Sequence, residues 1–330
     1  MSKDKDGARF VANIREMGFA GLYNRYGTIL IFVAILIIAS ISSPFFLTSA
    51  NLTNVLKQLV VVTLLAFGAT FIIILAQIDV SYGSVVALTG CIAADVMSKT
   101  QSIALALLSG IALGVFIGLI NGFVITTYKI PAFIETLAMT AIARGVVLLY
   151  TRGVPVANLG NFNFIGQGSI GFVPFSVIIF LIFLLISWVL LNRTKFGRHV
   201  YAAGGNATAA IASGINVNKV IRLAFIYNGV LASAAGIVLM SRINSGQPAA
   251  GVGYEFSAIT SVVVGGTSLM GGIGNIAGTF VGALIIGVID NVLDLLNVNS
   301  SWQQIVRGII IALAVILDVK TKVVRVRKKA

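Results

Sequence analysis

Residues Asn192 to Arg222 read N-R-T-K-F-G-R-H-V-Y-A-A-G-G-N-A-T-A-A-I-A-S-G-I-N-V-N-K-V-I-R, and apolar sequence flanks them on both sides. The stretch is polar, basic and punctuated by glycine. Asn206, after Gly204 and Gly205, has the chemistry of a helix N-cap. The run Ala207 to Ser213 is rich in alanine, and Gly214 stands where a left-handed C-terminal cap belongs. This pattern predicts a turn, a short helix and a stop. A helix of that length is marginal in water, so it forms by packing against something. The other reading is a solvated connecting loop.

Working outward, 58% of the 330 residues are hydrophobic and 10% are charged. A soluble domain is nearer half apolar and about a quarter charged, so the chain is an integral membrane protein. The net charge of +13 would suit nucleic acid, but the basic residues cluster between and beyond the apolar runs, as orientation by the positive-inside rule requires. Lipid is therefore expected as a partner and nucleic acid is not. The single cysteine, Cys91, lies in an apolar run. It offers neither a disulfide framework nor a thiol-rich metal site, and no metal is expected.

Apolar runs of about 20 residues, the length that spans a bilayer, occur near 28–46, 55–77, 80–98, 101–127, 131–150, 173–191, 223–241, 256–273, 276–295 and 302–319. The expectation is an all-α polytopic fold of about ten transmembrane helices, the first span being uncleaved. The separators at 77–80 and 273–276 are so short that broken or re-entrant helices are read there as readily as true exits. With the N-terminus inside, 17 of the 23 basic residues fall on cytoplasmic segments, and only Lys57, Lys99, Arg152 and Arg242 fall at outer ends. Both termini and the central loop are thus expected in the cytoplasm. The chain divides into an N-terminal tail (1–27), a membrane domain (28–319) holding the central loop 192–222, and a basic tail (320–330). The longest outer stretches, Thr151 to Phe172 and Arg242 to Glu255, read equally as plain loops and as surfaces that receive a partner.

Gly110, Gly114, Gly118 and Gly122 recur every fourth residue, as do Gly274, Gly278 and Gly282. Small residues at that spacing make one helix face on which backbones pack closely in lipid. A weak echo links Thr63 and Gly68-Ala69-Thr70 with Thr260 and Gly265-Gly266-Thr267, and Gly83-Ser84 with Gly278-Thr279. It reads as a duplicated helix pair or as chance matching of small residues.

Few residues are available for catalysis. His199 has no carboxylate near it in sequence, and no phosphate-binding glycine loop occurs. Asp79 lies in Gln77-Ile78-Asp79-Val80-Ser81-Tyr82-Gly83-Ser84, between two apolar runs with barely room for a loop. A lone acid within a bilayer costs about 2.5–3.5 kcal/mol on insertion scales. It reads either as part of a capped helix start with Ser81 and Ser84, or as the polar lining of a broken helix with Tyr82. Glu135 and Arg144 are too far apart on one span to pair, so each needs a partner elsewhere. Asp290 and Asp294 share a helix face, and Arg307 is a candidate counter-ion for them.

Several motifs in order resemble the permease subunits of bacterial ribose-type monosaccharide ABC importers, from about Thr28 to Asp318. They are Phe46-Leu47-Thr48 with Asn51-Leu52-Thr53-Asn54, the Ile78 to Ser84 motif, Thr194-Lys195-Phe196-Gly197-Arg198 with Gly204-Gly205-Asn206 and Ser213-Gly214-Ile215, Gly253-Tyr254-Glu255, and Gly265-Gly266-Thr267-Ser268-Leu269 with Gly271-Gly272. The resemblance implies a homodimeric pore in the bacterial inner membrane, fed by a periplasmic sugar-binding protein and driven by cytoplasmic ATPase subunits that bind the ATP and magnesium. This chain itself would bind no cofactor and catalyse no reaction. It further implies that the central loop engages the ATPase through Phe196, Gly197, Gly204, Gly205, Asn206, Ala209, Ala210, Ser213 and Gly214. The binding protein would dock near Arg152, Gln247, Tyr254 and Glu255. The short helix departs from the family, which usually carries an acid and a base where this chain has Thr208 and Ile211. The family also often has valine where this chain has Tyr82. Packing of Ala209, Ala210 and Ile211 is therefore the expected ATPase contact.

The expected function is import of a neutral monosaccharide along a path whose candidates are Asp79, Ser81, Tyr82, Ser84 and Glu135. Sparse intramembrane charge favours an uncharged solute. Related permeases for nucleosides or branched-chain amino acids are the alternative, and a proton-coupled carrier using Asp79 and Glu135 stands behind them.

Overall fold

The computed structural model describes residues 27–327, and most of them are helical. The N-terminal tail through residue 26 and residues 328–330 of the basic tail lie outside the described residues. In chain order the helices are α1 (Gly27–Ser42), α2 (Ser49–Ile74), α3 (Tyr82–Thr100), α4 (Ile103–Tyr128), α5 (Ala132–Thr151), α6 (Asn163–Gln167), α7 (Phe175–Arg193), α8 (Lys195–Gly205), α9 (Ala207–Ala212), α10 (Val217–Ile243), α11 (Tyr254–Val264), α12 (Ile276–Leu295) and α13 (Ser300–Arg327). Six of these, α2, α4, α5, α7, α10 and α12, are long and apolar enough to cross a membrane, which makes the chain a polytopic α-helical membrane protein.

Each apolar run carries a helix, but the run at 256–273 does not carry a full one. Its helix, α11, stops at Val264, and Gly265 to Asn275 form an irregular connection in which Gly266, Gly271 and Gly272 all have positive φ. Helices end on either side of both short separators, at Ile74 and Tyr82 and at Val264 and Ile276. The first connection keeps Asp79 and Ser81 buried, whereas the second leaves Gly266, Met270, Ile273 and Asn275 exposed.

The centre of the bundle is formed by α2 and α10. Every residue from Thr63 to Ile74 is buried, and so is every residue from Leu231 to Ser241. Helices apolar on all sides are interior helices. By contrast α4 exposes Leu105, Leu108, Phe116 and Phe123 on one face and turns its glycines inward. A Cβ on Gly114 would overlap the Gly229 carbonyl, one on Gly118 the Phe225 carbonyl, and one on Gly122 would stand 2.8 Å from the Arg222 Cα. The four-residue glycine period is the groove that receives α10. Gly282 meets the Ser261 carbonyl of α11 in the same way. Gly278 lies against the Gly265 carbonyl, whereas Gly274 abuts Thr267 and Ile74.

The two long connections at the other end of the bundle are tied together. Val156 and Gly246 exchange backbone hydrogen bonds of 2.9 and 2.8 Å. The first connection also contains α6 and a two-residue hairpin, β1 (Ser169–Ile170) with β2 (Val173–Pro174).

Candidate functional site

The central loop is built on two helices, where the sequence reading expects a turn followed by one. The Thr194 side chain accepts from the Gly197 amide at 3.2 Å and starts α8. Phe196, Val200 and Ala203 then fall on one face, the i, i+4, i+7 signal of an amphipathic helix. Gly204 and Gly205, which suggest a turn, are the last residues of that helix. Its buried face stacks Phe196 on Phe71 of α2, with ring centroids 5.9 Å apart, and the Tyr201 hydroxyl donates to the Gly274 carbonyl at 2.8 Å. Gly197 sits so close to the Leu191 carbonyl that no side chain fits between α7 and α8.

At the end of α8 three segments meet. Gly204 packs on the carbonyl of Ile74, the last residue of α2. The same carbonyl accepts from the Gly272 amide at 2.8 Å. Gly271 and Gly272 adopt φ of +81° and +71°, a conformation natural to glycine. The loop helix therefore touches both connections, through backbone at Gly204 and through the Tyr201 hydroxyl at Gly274. Beyond it, Asn206 caps α9 by accepting from the Ala209 amide at 2.9 Å, the Ser213 hydroxyl donates to the Ala209 carbonyl at 2.9 Å, and Gly214 turns the chain at φ +81°. Within α9 it is Ala210 that is buried, while Ile211 is 61% exposed. Ala210 therefore packs the loop against itself, and Ile211 with Ala209 forms the free surface.

Behind this junction lies a buried polar cluster. Asp79 Oδ1 accepts from the Ser81 amide at 2.7 Å and from the Ser81 hydroxyl at 2.6 Å, while its Oδ2 accepts from Asn228 Nδ2 of α10 at 2.7 Å. Asp79 shapes the turn before α3, whose N-cap residue is Ser81 without a side-chain cap bond. Thr136 and Thr140 of α5 bind the same segment, accepting from the Val80 amide at 3.2 Å and donating to its carbonyl at 3.0 Å respectively. Glu135 is buried nearby, and Asn121 of α4, in its satisfied orientation, donates to Glu135 Oε1 at 3.2 Å. Glu135 Oε2 and Asn228 Oδ1 have no partner among the described residues. Tyr82 and Ser84 are buried in the packed interior at the start of α3.

Toward the opposite end, Arg144 Nη1 donates to the carbonyls of Pro248 at 2.5 Å and Ala250 at 3.0 Å, so it closes the long connection and does not pair with Glu135. Arg307 bridges Asp290 through a 3.0 Å hydrogen bond and a 2.9 Å ion pair. Of the four expected docking residues Arg152 is exposed. Gln247, Tyr254 and Glu255 are half-buried, with Glu255 Oε1 accepting from the Gly253 amide at 3.3 Å.

The sequence matches the family described as "Branched-chain amino acid transport system / permease component" over residues 51–315. The chain belongs to this permease family. The permease is 43% identical to the ribose import permease protein RbsC of Escherichia coli (strain K12), over 94% of this chain and 98% of that one. It is 42% identical to RbsC of Bacillus subtilis (strain 168), over 93% and 96% of the two chains. It is 39% identical to the D-allose transport system permease protein AlsC of Escherichia coli (strain K12), over 92% and 94%. No solved structure matches it.

For the permease, sequence reasoning misses α8 as a helix, Asn228 and Asn121 as partners of the two acids, and Thr136 and Thr140 as supports of the break. The spacing of Phe196, Val200 and Ala203 carries the first. No local pattern carries the others, because each joins helices far apart in sequence.

Proposed function

We propose that the chain is the membrane-spanning subunit of an ATP-driven importer in the bacterial inner membrane, moving a neutral monosaccharide inward without altering it. Near full-length similarity to ribose and allose permeases supports the solute class. In this reading the bundle crosses the membrane with ten helical segments, α11 and its connection making one broken crossing, and both termini face the cytoplasm. The subunit acts with a second copy of itself, two cytoplasmic ATPases that hold the nucleotide, and a periplasmic sugar-binding protein docking near Arg152 and the joined connections around Val156 and Gly246.

The observation that carries the mechanism is the contact of Gly204 with Ile74 and Gly272. A push on α9 from an ATPase is delivered by α8 to the end of α2 and to the connection after α11. Movement of these ends past each other alternates access. No side chain intervenes at the contact, so displacement passes without first being absorbed by rotamer changes. The Asp79 cluster, tied to α3, α5 and α10, holds the α2–α3 break in register and lines the inner part of the path.

The test is co-purification of the tagged chain from membranes, followed by sugar-stimulated ATP hydrolysis with the binding protein in proteoliposomes. Recovery of an ATPase subunit and stimulation by a monosaccharide are expected. Uptake driven by a pH gradient without any ATPase would instead establish a secondary carrier.

A further inference from the structure

Between α2, α11, α12 and α13 lies a partly enclosed recess of about 170 Å³, room for about six waters at roughly 30 Å³ each. A wider depression of about 710 Å³ adjoins it, framed by Asn51, Lys57, Arg242 and Asn291. Gln58 and Asp294 border both spaces, so the depression leads into the recess. The depression is itself a fixed frame. Asn51 and Asn291 exchange amide hydrogen bonds of 3.0 and 2.9 Å, and Lys57 donates to the Gln167 carbonyl at 3.0 Å.

The chemistry of the recess is selective. Its charged groups are all partnered: Arg307 is bridged to Asp290, and Asp294 accepts from the Gln303 amide at 2.8 Å. Its neutral groups do not. The Gln58 amide, the Tyr254 hydroxyl and the Ser257 hydroxyl line the recess and make no hydrogen bond to any other described residue, although Ser257 is only 2% exposed. Ser257 lies at a depth where polar groups are ordinarily paired, while Gln58 is exposed and Tyr254 half-buried at the mouth and wall of the recess. An anion would meet Asp290 and Asp294, and a cation would compete with Arg307 for Asp290. A polyhydroxyl solute suits the set, because hydroxyls donate to carboxylates and both donate to and accept from an amide or another hydroxyl. The Tyr254 ring and the side chains of Val62 and Ile286 provide the apolar wall that the C–H face of a sugar ring needs.

We propose that this recess is a monosaccharide-recognition site on the outer half of the translocation route, so that the membrane subunit adds its own selection to that of the binding protein. The inference rests on the sugar-import reading above.

The test uses the full transporter with its ATPase and binding protein in proteoliposomes, with radiolabelled D-ribose, D-allose and D-xylose as probes and leucine as the outsider. Gln58→Leu changes an exposed position and Ser257→Ala removes one hydroxyl. Each is expected to slow ribose uptake about fivefold to tenfold, the effect of one lost hydrogen bond. Each also shifts the ratio of ribose to allose uptake, with binding-protein affinity and ATPase recovery unchanged. Val62→Phe fills the recess and is expected to abolish uptake from a chain that still elutes as an intact complex. Wild-type rates and preferences in all three variants overturn the site while leaving sugar import standing. Uniform slowing with no change in preference overturns it as a recognition site. A wild-type complex that takes up leucine and none of the sugars overturns the sugar reading and this inference with it.

Discussion

Gly204 packs directly on the carbonyl oxygen of Ile74, so closely that a methyl group at residue 204 would overlap that oxygen. Its neighbour Gly205 has nothing within 4 Å of the position a Cβ would take. The two glycines, adjacent and alike in sequence, therefore answer differently to the same change. Gly204→Ala forces α8 away from α2 and costs about 1–3 kcal/mol of overpacking. It is expected to lower the unfolding temperature of the detergent-solubilised protein and to cut sugar-stimulated ATP hydrolysis at least tenfold. Gly205→Ala leaves both at wild-type level, which separates the contact from a general need for flexibility in the loop.

Within α9 the exposed Ile211 and the buried Ala210 have opposite roles. Ile211→Ser removes apolar surface that faces outward, so the fold stays intact while ATPase recovery on co-purification falls. Ala210→Glu places an unpaired carboxylate in the loop interior, a change that typically costs several kcal/mol. It is expected to expose the loop to proteolysis in membranes even without ATPase present. Equal protease resistance of the two variants would show that Ala210 does not pack the loop.

Asp79 binds three donors: the Ser81 amide, the Ser81 hydroxyl and Asn228 Nδ2. Asp79→Leu orphans all three, at about 1–3 kcal/mol each, and should leave little folded protein after extraction. Asp79→Asn keeps the acceptor for Ser81 and, by reversal of the Asn228 amide, regains the second bond through the Oδ1 that now lacks a partner. A folded Asp79→Asn transporter with at least a third of wild-type uptake is expected. Complete loss of uptake from folded Asp79→Asn would instead assign the charge itself a role in transport.

How much of this was legible in the sequence follows the range of the interactions. Helix positions, the glycine face of α4 and the Asn206 cap depend on residues within a turn or two of one another. Periodicity and capping chemistry expose them. The pairing of Arg307 with Asp290 is long-range but short of alternatives, since few charges occur in the spans. The extent of α11 is different: apolar composition continues through Leu269 and Met270, yet three positive-φ glycines unwind the chain, and hydropathy does not register that. The junction at Ile74 is not legible in sequence because it joins backbone atoms of three segments far apart in the chain. The recess is equally hidden, being assembled from residues of four helices far apart in sequence.

The packing of α4 on α10 gives the last test. A Cβ at residue 118 would overlap the Phe225 carbonyl and stand 2.9 Å from the Ile226 Cα, both of them backbone atoms that cannot rotate aside. Gly145, on α5, has open space where a Cβ would go. In lipid the two helices gain little from hydrophobic exclusion and depend on close contact, so a separation of even a few tenths of an ångström loses dispersion along the whole seam. Gly118→Ala is expected to lower the thermal unfolding midpoint in detergent by several degrees. Gly145→Ala should leave it unchanged or raise it slightly, because alanine is favoured over glycine in a helix by about 0.5–1 kcal/mol. If both substitutions shifted the midpoint equally, helix propensity and not close backbone approach would account for the glycine period.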